Sequence, residues 1–402
     1  MKSRVQLALV GCFLSVLAHL YLAMHFYPLK LGLATGKSLC NLNAKLDCDA
    51  VSTSIYASLF GIPLALWGAV LNAILFSLIL LAWLEWSEYP ERLKRFALGL
   101  AGISALASVI MGTISVTLMQ NYCIVCIGLY VISLAVFFLY KGTLREPFFM
   151  HLKRDLPNLW TESKGILIGF ALIPVGAYLG HQFFMQNFGS ERVERMNSAA
   201  VAVWQHSPLH QFVAQPSLVM GPESDKAAMT LTEFADFRCS HCKHASYSLD
   251  AFVKAHPDVR FEFYSFPLDG ECNDKIESKD GVSCRLATLV VCAERENKGW
   301  EMHHLLFEEQ EKTLGIRSVG QLDELLAHLV PSLGLNWQMM QTCLADPTSQ
   351  AAVRAQAKQG ALVNVPGTPA IFANGRKLDG GQRIPVLQTV RQKSLEAKAK
   401  AN

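Results

Sequence analysis

Leu231-Thr232-Glu233-Phe234-Ala235-Asp236-Phe237-Arg238-Cys239-Ser240-His241-Cys242-Lys243-His244-Ala245 decides the reading of the C-terminal half. Met229–Phe237 alternates and reads as a strand, and Lys243–Ala255 reads as a helix. The C-x-x-C pair therefore sits where a strand ends and a helix opens. A thiolate at a helix N-terminus is stabilised by free backbone N–H groups and by the helix dipole. That makes Cys239 the accessible nucleophile and Cys242 the resolving thiol. His241 between them is expected to stabilise the thiolate further, which favours the reduced pair and makes the disulfide a stronger oxidant. The bland alternative, a structural zinc pair, lacks a second C-x-x-C nearby.

Working outward, Val259–Phe266 is a β-rich run and residues 284–358 read mainly as helices. Ala370–Ala373 and Arg376–Leu378 flank Asn374-Gly375, a strong hairpin signal. A final helix closes the chain. Cys272 and Cys284 flank a polar, charged loop and are expected to form a structural disulfide. Cys292 and Cys343 lie on helical segments, either paired or simply buried. No catalytic role is expected for these four.

Toward the N-terminus the composition changes. Over the whole chain 51% of residues are hydrophobic and 17% charged, against about 25% charged in an ordinary soluble protein. The excess is concentrated in Val5–Tyr27, Pro63–Trp83, Phe96–Met119, Tyr122–Tyr140 and Gly165–Met185, which hold no Asp, Glu, Lys or Arg. Each is near the roughly 20 residues needed to cross a bilayer. So many such runs before residue 186 argue against a soluble helical core. The net charge of +3, without a Lys/Arg-rich block, gives no support for nucleic-acid binding.

Basic residues set the expected orientation. With the N-terminus cytoplasmic, the inner segments hold Lys2, Arg4, Arg92, Lys94, Arg95, Lys141, Arg145, Lys153, Arg154 and Lys164. The first outer segment holds only Lys30, Lys37 and Lys45, and the turn at Gln120–Asn121 holds none. Five spans then put the C-terminal domain outside, where disulfides persist. Leu9-Val10-Gly11-Cys12 resembles a lipoprotein cleavage site, but the apolar run continues to Tyr27, so Cys12 reads as a small buried residue in a retained helix.

Of the 11 cysteines, Cys40/Cys48, Cys123/Cys126 and Cys239/Cys242 all fall on the outer face in this topology. Ser52–Phe60 is expected to be a short helix at the membrane surface, followed by Gly61-Ile62-Pro63 as punctuation. Cys123 and Cys126 open an apolar helix. A dithiol there faces lipid-soluble partners, and the aqueous loop pair Cys40/Cys48 is positioned to reduce it. The alternative is a four-cysteine zinc site, to which the Ile124-Val125 spacer offers few hydrogen-bond donors. His19 and His25, in the first apolar run, read as packed or interfacial side chains. The residues alone thus reach a membrane dithiol relay.

Two resemblances extend this. Residues 217–402 resemble the DsbA-like branch of thioredoxins. The match rests on the strand, C-x-x-C and helix, on Glu233 as the buried acid, and on Val365-Pro366-Gly367-Thr368-Pro369 as the cis-proline loop, with Pro369 the cis residue and Thr368 its partner. The helical stretch before Pro369 corresponds to that branch's insertion. Residues 5–140 resemble the vitamin K epoxide reductase family. That match rests on Cys40 and Cys48, on Val51-Ser52-Thr53-Ser54-Ile55-Tyr56-Ala57 with Phe60-Gly61-Ile62-Pro63-Leu64-Ala65, and on Cys123/Cys126.

The resemblances imply a multi-domain protein. An all-α transmembrane four-helix bundle with a fifth linking helix precedes an α/β thioredoxin fold with a helical insertion. The expected domains are 1–150, a linker 151–214 containing the fifth span 165–185, and 215–402. The family implies a quinone, ubiquinone or menaquinone, with Cys126 beside it and Cys123 exchanging with the loop pair. It also makes Ser54, Phe60 and Tyr122 candidate quinone neighbours. The implied partners are the lipid bilayer, the quinone and reduced extracytoplasmic proteins. The implied location is the bacterial inner membrane, with the thioredoxin-like domain periplasmic. Two alternatives stay open: a reductase or isomerase running electrons the other way, and a tethered chaperone with structural cysteines.

Overall fold

The computed structural model describes every residue except 1, 35, 42–44, 87–89, 120, 144–163, 188–189 and 402. Arg145, Lys153, Arg154, Gln120 and the expected boundary at 150 lie outside the described residues. The chain forms two compact units, residues 1–29 with 37–190 and residues 30–36 with 191–402.

In the first unit, four helices are long and apolar enough to cross a membrane. They are α1 (Lys2–Lys30), α3 (Leu64–Trp83), α4 (Pro90–Leu118) and α5 (Ile124–Lys141). Helix α4 packs on both α3 and α5, and Ala8, Leu9, Cys12, Leu75, Ile79, Ala97, Leu100, Ala101 and Val136 fill their core. Their outer faces are also apolar: Leu7, Val10, Phe13, Ile103, Leu106, Val131 and Phe138 are exposed. Such continuous outer apolar surface suits lipid, where helices satisfy their own backbone polar groups. The apolar run after residue 164 forms helix α6 (Lys164–Asn187), packed on α3.

Between α1 and α3 the expected single helix over Ser52–Phe60 is replaced by three shorter pieces. Helix α2 covers Cys48–Thr53, a 3-10 turn Ile55–Ala57, and a hairpin pairs β1 (Ser58–Leu59) with β2 (Ile62–Pro63). The cause is local. Thr53 Oγ1 donates to Ala50 O and Ser54 Oγ to Val51 O, while Ser54 is extended. Hydroxyls that bond back this way compete with helix continuation. Phe60 and Gly61 then take positive φ, 52° and 78°, as a two-residue hairpin turn requires.

The longer segment of the second unit, from residue 191, opens within α7 (Ser190–His206) and holds a five-stranded sheet in the order β3-β5-β4-β6-β7. The strands are β3 (Leu218–Met220), β4 (Met229–Ala235), β5 (Val259–Ser265), β6 (Ala370–Ala373) and β7 (Arg376–Lys377). Strand β4 runs parallel to β5 and antiparallel to β6. It is covered on both faces, so even Thr232 and Glu233 are buried and the expected alternation does not mark an exposed side. Helix α8 (Ser240–Ala255) follows β4 directly. Between β5 and β6 lies the helical insertion: α9 (Val282–Arg295), α10 (Gly299–Glu308), α11 (Gln310–Leu314), α12 (Val319–Leu329), α13 (Trp337–Ala345) and α14 (Pro347–Leu362). Asn374 and Gly375, at φ 49° and 75°, turn β6 into β7. Helix α15 (Ile384–Ala401) closes the unit. Cys272 pairs with Cys284, and Cys292 on α9 pairs with Cys343 on α13.

Candidate functional site

The thioredoxin-fold unit places its dithiol by local backbone bonding. Asp236 Oδ1 accepts from Arg238 N at 2.6 Å and Oδ2 from Leu268 N at 2.8 Å, pinning the turn after β4. Cys239 is the N-cap of α8, and its carbonyl accepts from Lys243 N at 3.1 Å. Cys239 is half-buried and Cys242 buried; both are free thiols. The Thr368–Pro369 peptide is cis, and Cys239 Sγ donates to Thr368 O at 3.3 Å.

These contacts separate the two sulfurs electrostatically. The Cys242 hydrogen bond pulls the Cys239 thiol down to about 6, against burial and with help from Thr368 and the backbone N–H groups of Cys242 and His241. Burial pushes Cys242 well up. His241 contributes here through its backbone, and its side chain is exposed. Beneath the dithiol, Glu233 is buried without a hydrogen-bond partner for either oxygen among the described residues. Burial pushes its carboxyl up to about 8, and the Cys239 charge adds to the shift.

Sequence reasoning missed Gln310, the first residue of α11. Its buried side chain donates Nε2 to Phe237 O at 2.8 Å and Cys239 O at 3.0 Å. Arg238 ties the same loop outward, to Asp280 at 2.8 Å and Ile316 O at 3.0 Å. The helical insertion therefore holds the turn that carries Cys239 from the side.

In the helical unit, Cys40 and Cys48 form one disulfide and Cys123 and Cys126 another. The two bonds are neighbours: Cys40, Cys48 and Cys123 form one buried cluster, with Cys126, Tyr21, Leu22, Val51 and Val125 packed on it. A short backbone bridge brings them together. Asp47 N donates to Tyr122 O at 2.9 Å and Tyr122 N to Lys45 O at 2.7 Å. The loop is braced separately. Asn41 Oδ1 accepts from Cys48 N at 2.8 Å. Asn41 Nδ2 donates to Asp49 at 2.7 Å, and Asp49 also accepts from Ser38 N and Oγ. Cys123 caps α5, its Sγ accepting from Cys126 N at 3.1 Å.

Behind this cluster lies a cavity of about 240 Å³ with Cys123 and Cys126 on its wall. Ser54 lines it. Phe60 and Tyr122 do not. Phe60 sits at the hairpin tip and is 87% exposed, because the tight turn carries it away from the bundle. The Tyr122 backbone is engaged in the bridge, two residues before the helix that forms the wall. The aromatic walls are instead Phe26, Tyr56, Trp67 and Tyr130. Among the described residues no Asp, Glu, Lys or Arg lines the cavity, and His19, Asn72, Ser104 and Ser133 supply polar atoms. An apolar cavity with a few polar groups suits an uncharged ring bearing oxygens, so these residues fit a quinone.

Comparison with known proteins agrees with this division. Residues 5–140 match the vitamin K epoxide reductase family, and residues 230–391 match the DSBA-like thioredoxin domain. Disulfide bond formation protein D of Bacillus subtilis is 24% identical over 196 residues, covering 46% of this chain and 81% of that protein. A Na(+)/H(+) antiporter NhaA 3 of Salinispora tropica is 26% identical over 169 residues, 42% of this chain; the match spans only 23% of the antiporter. The crystal structure of oxidised BdbD from Bacillus subtilis aligns with a TM-score of 0.39 and 20% identity, covering 47% of this chain and 97% of that one. The chain thus joins a domain of the vitamin K epoxide reductase family to a DSBA-like thioredoxin domain, a pairing that supports a thiol–disulfide oxidoreductase.

Proposed function

We propose that this protein is a quinone-dependent thiol–disulfide oxidoreductase that forms disulfides in proteins outside the inner membrane. A substrate thiolate attacks the Cys239–Cys242 disulfide and leaves oxidised, and the two electrons remain on Cys239 and Cys242. Those thiols reduce Cys40–Cys48, and the loop dithiol in turn reduces Cys123–Cys126. Each step is thiolate attack through a mixed disulfide, with one S–S bond broken for each one formed. A quinone, ubiquinone or menaquinone, supplies the two-electron sink beside Cys126. Ser54 and the polar wall residues orient it, and the aromatic walls exclude water. The low position of Cys239 favours the oxidising direction, because it stabilises the reduced pair relative to its disulfide. The reading places the N-terminus in the cytoplasm, makes α6 the fifth span and puts the thioredoxin unit in the periplasm.

The observation that carries this reading is the single buried cluster of Cys40, Cys48 and Cys123, with Cys126 at both the cluster and the cavity. The test is the in-cell redox state of Cys239/Cys242, read by acid quench and thiol mass-tagging. The expected result is oxidation in the wild type, and reduction both in Cys126→Ala and in cells that make no quinone. Normal oxidation in both of those would remove the quinone from the scheme. A pair that is reduced in every case would reverse the direction of electron flow.

A further inference from the structure

His19 is a polar wall residue of the cavity to which the scheme above gives no part in proton transfer. It lies on α1 and lines the same cavity as Cys126, whose wall among the described residues is mostly apolar and holds no Asp, Glu, Lys or Arg. Its Nδ1 is 2.7 Å from Ser15 O. A carbonyl can only accept, so Nδ1 carries the hydrogen and the tautomer is fixed. Nε2 is left with no hydrogen-bond partner among the described residues.

The facing helix is cut to fit this ring. Gly68 of α3 also lines the cavity. A Cβ there would fall inside van der Waals contact of Nε2, Cδ2 and Cε1 of His19. Any larger residue at position 68 displaces the imidazole. An ionisable group in a membrane helix, held in one tautomer and given space by a glycine opposite, is better explained by a polar task than by packing.

Resting on the quinone reading above, we propose that His19 is the proton-exchanging residue of the cavity, meeting a ring oxygen of the quinone through Nε2. Protonated, His19 donates its Nε2 hydrogen to that oxygen. As Cys123 and Cys126 form their disulfide, two S–H bonds break, one S–S bond forms, and two electrons and two protons leave the sulfurs. His19 hands its Nε2 proton to one ring oxygen and recovers one of the two thiol protons; the other goes to the second ring oxygen.

The proposal has a binding signature separate from turnover. Neutral His19 presents a lone pair to a carbonyl oxygen, and protonated His19 presents a donor. Affinity for oxidised quinone therefore rises on acidification. The other titratable groups facing the cavity are Tyr56 and Tyr130, with Cys123 and Cys126 joined as a disulfide.

The experiment measures equilibrium binding of a short-tailed benzoquinone to the oxidised full-length protein in detergent, from pH 5 to 8. In the wild type, affinity should rise about tenfold toward low pH, the size of one hydrogen bond to a charged group. His19→Gln should bind with no pH dependence, since its amide keeps one character throughout. His19→Leu should bind weakly at every pH. Gly68→Ala, with His19 intact, should lose the pH dependence by displacing the ring. A wild-type slope retained in His19→Gln would overturn the proposal, as would a flat wild type that still binds. Failure of the wild type to bind quinone at all would instead count against the quinone reading itself.

Discussion

Cys239 and Glu233 carry opposite pH signatures, and both can be measured. The Cys239 thiol is drawn from its usual 9.0 to about 6 by its Cys242 partner. In the reduced protein, its alkylation rate should therefore reach half-maximum near pH 6, with Cys242 unreactive. Half-maximum near pH 9 would mean that the Cys242 and Thr368 contacts do not act on the sulfur. Linkage gives a second consequence. A lowered folded-state value stabilises the reduced protein fully above pH 9 and loses that stabilisation as pH falls toward 6. The urea midpoint of the reduced protein minus that of the oxidised protein should shrink across that window.

Glu233 runs the other way. Burial lifts it from 4.5 to about 8. The folded state then binds its proton more tightly than the unfolded chain, and ionising it costs stability as pH climbs from 4.5 to 8. Glu233→Gln should gain stability relative to the wild type on going from pH 5 to pH 9, seen in paired urea titrations. Parallel profiles would show that the carboxyl is solvated.

At the scale of elements, the turn carrying Cys239 is held by a helix distant in sequence. Gln310 on α11 donates to two carbonyls of that turn. Each such bond contributes about 0.5–1.5 kcal/mol net. Gln310→Ala should therefore destabilise the protein by roughly 1–3 kcal/mol in urea unfolding and slow the exchange of Cys239 with peptide thiols. A change confined to exchange, with stability intact, would make Gln310 a positioning residue with little structural weight. The same scale explains what the sequence made legible. Strand β4, the C-x-x-C pair, the cis-proline loop, the Asn374-Gly375 turn and the apolar helices are all written in neighbouring residues. Gln310, the Cys292–Cys343 pairing across 51 residues and the cavity walls depend on which helices meet. In a helix apolar all round, periodicity does not mark the inner face, so Trp67 on α3 and Tyr130 on α5 carry no local mark of the cavity they line. For Phe60 the local sign is the Gly61 that follows it, a residue suited to the positive φ of a hairpin tip.

At the scale of the whole molecule, two dithiol centres sit in separate compact units of one chain. Covalent linkage replaces a bimolecular encounter with an intramolecular one, at an effective concentration near the millimolar range for a short flexible connection. Under the proposed relay, transfer from Cys239/Cys242 to Cys40–Cys48 would then need only weak docking, which would also leave the thioredoxin unit free to meet substrates between turnovers. The prediction uses a chain divided at Gly189 and supplied as two purified pieces at about 1 μM each. Quinone-dependent oxidation of Cys239/Cys242 should slow by about a hundredfold or more, the ratio of effective to bulk concentration, and recover as either piece is concentrated. An unchanged rate at micromolar concentration would mean that the two units bind each other tightly. Docking itself, with the chain connection incidental, would then be what brings the two sets of sulfurs together.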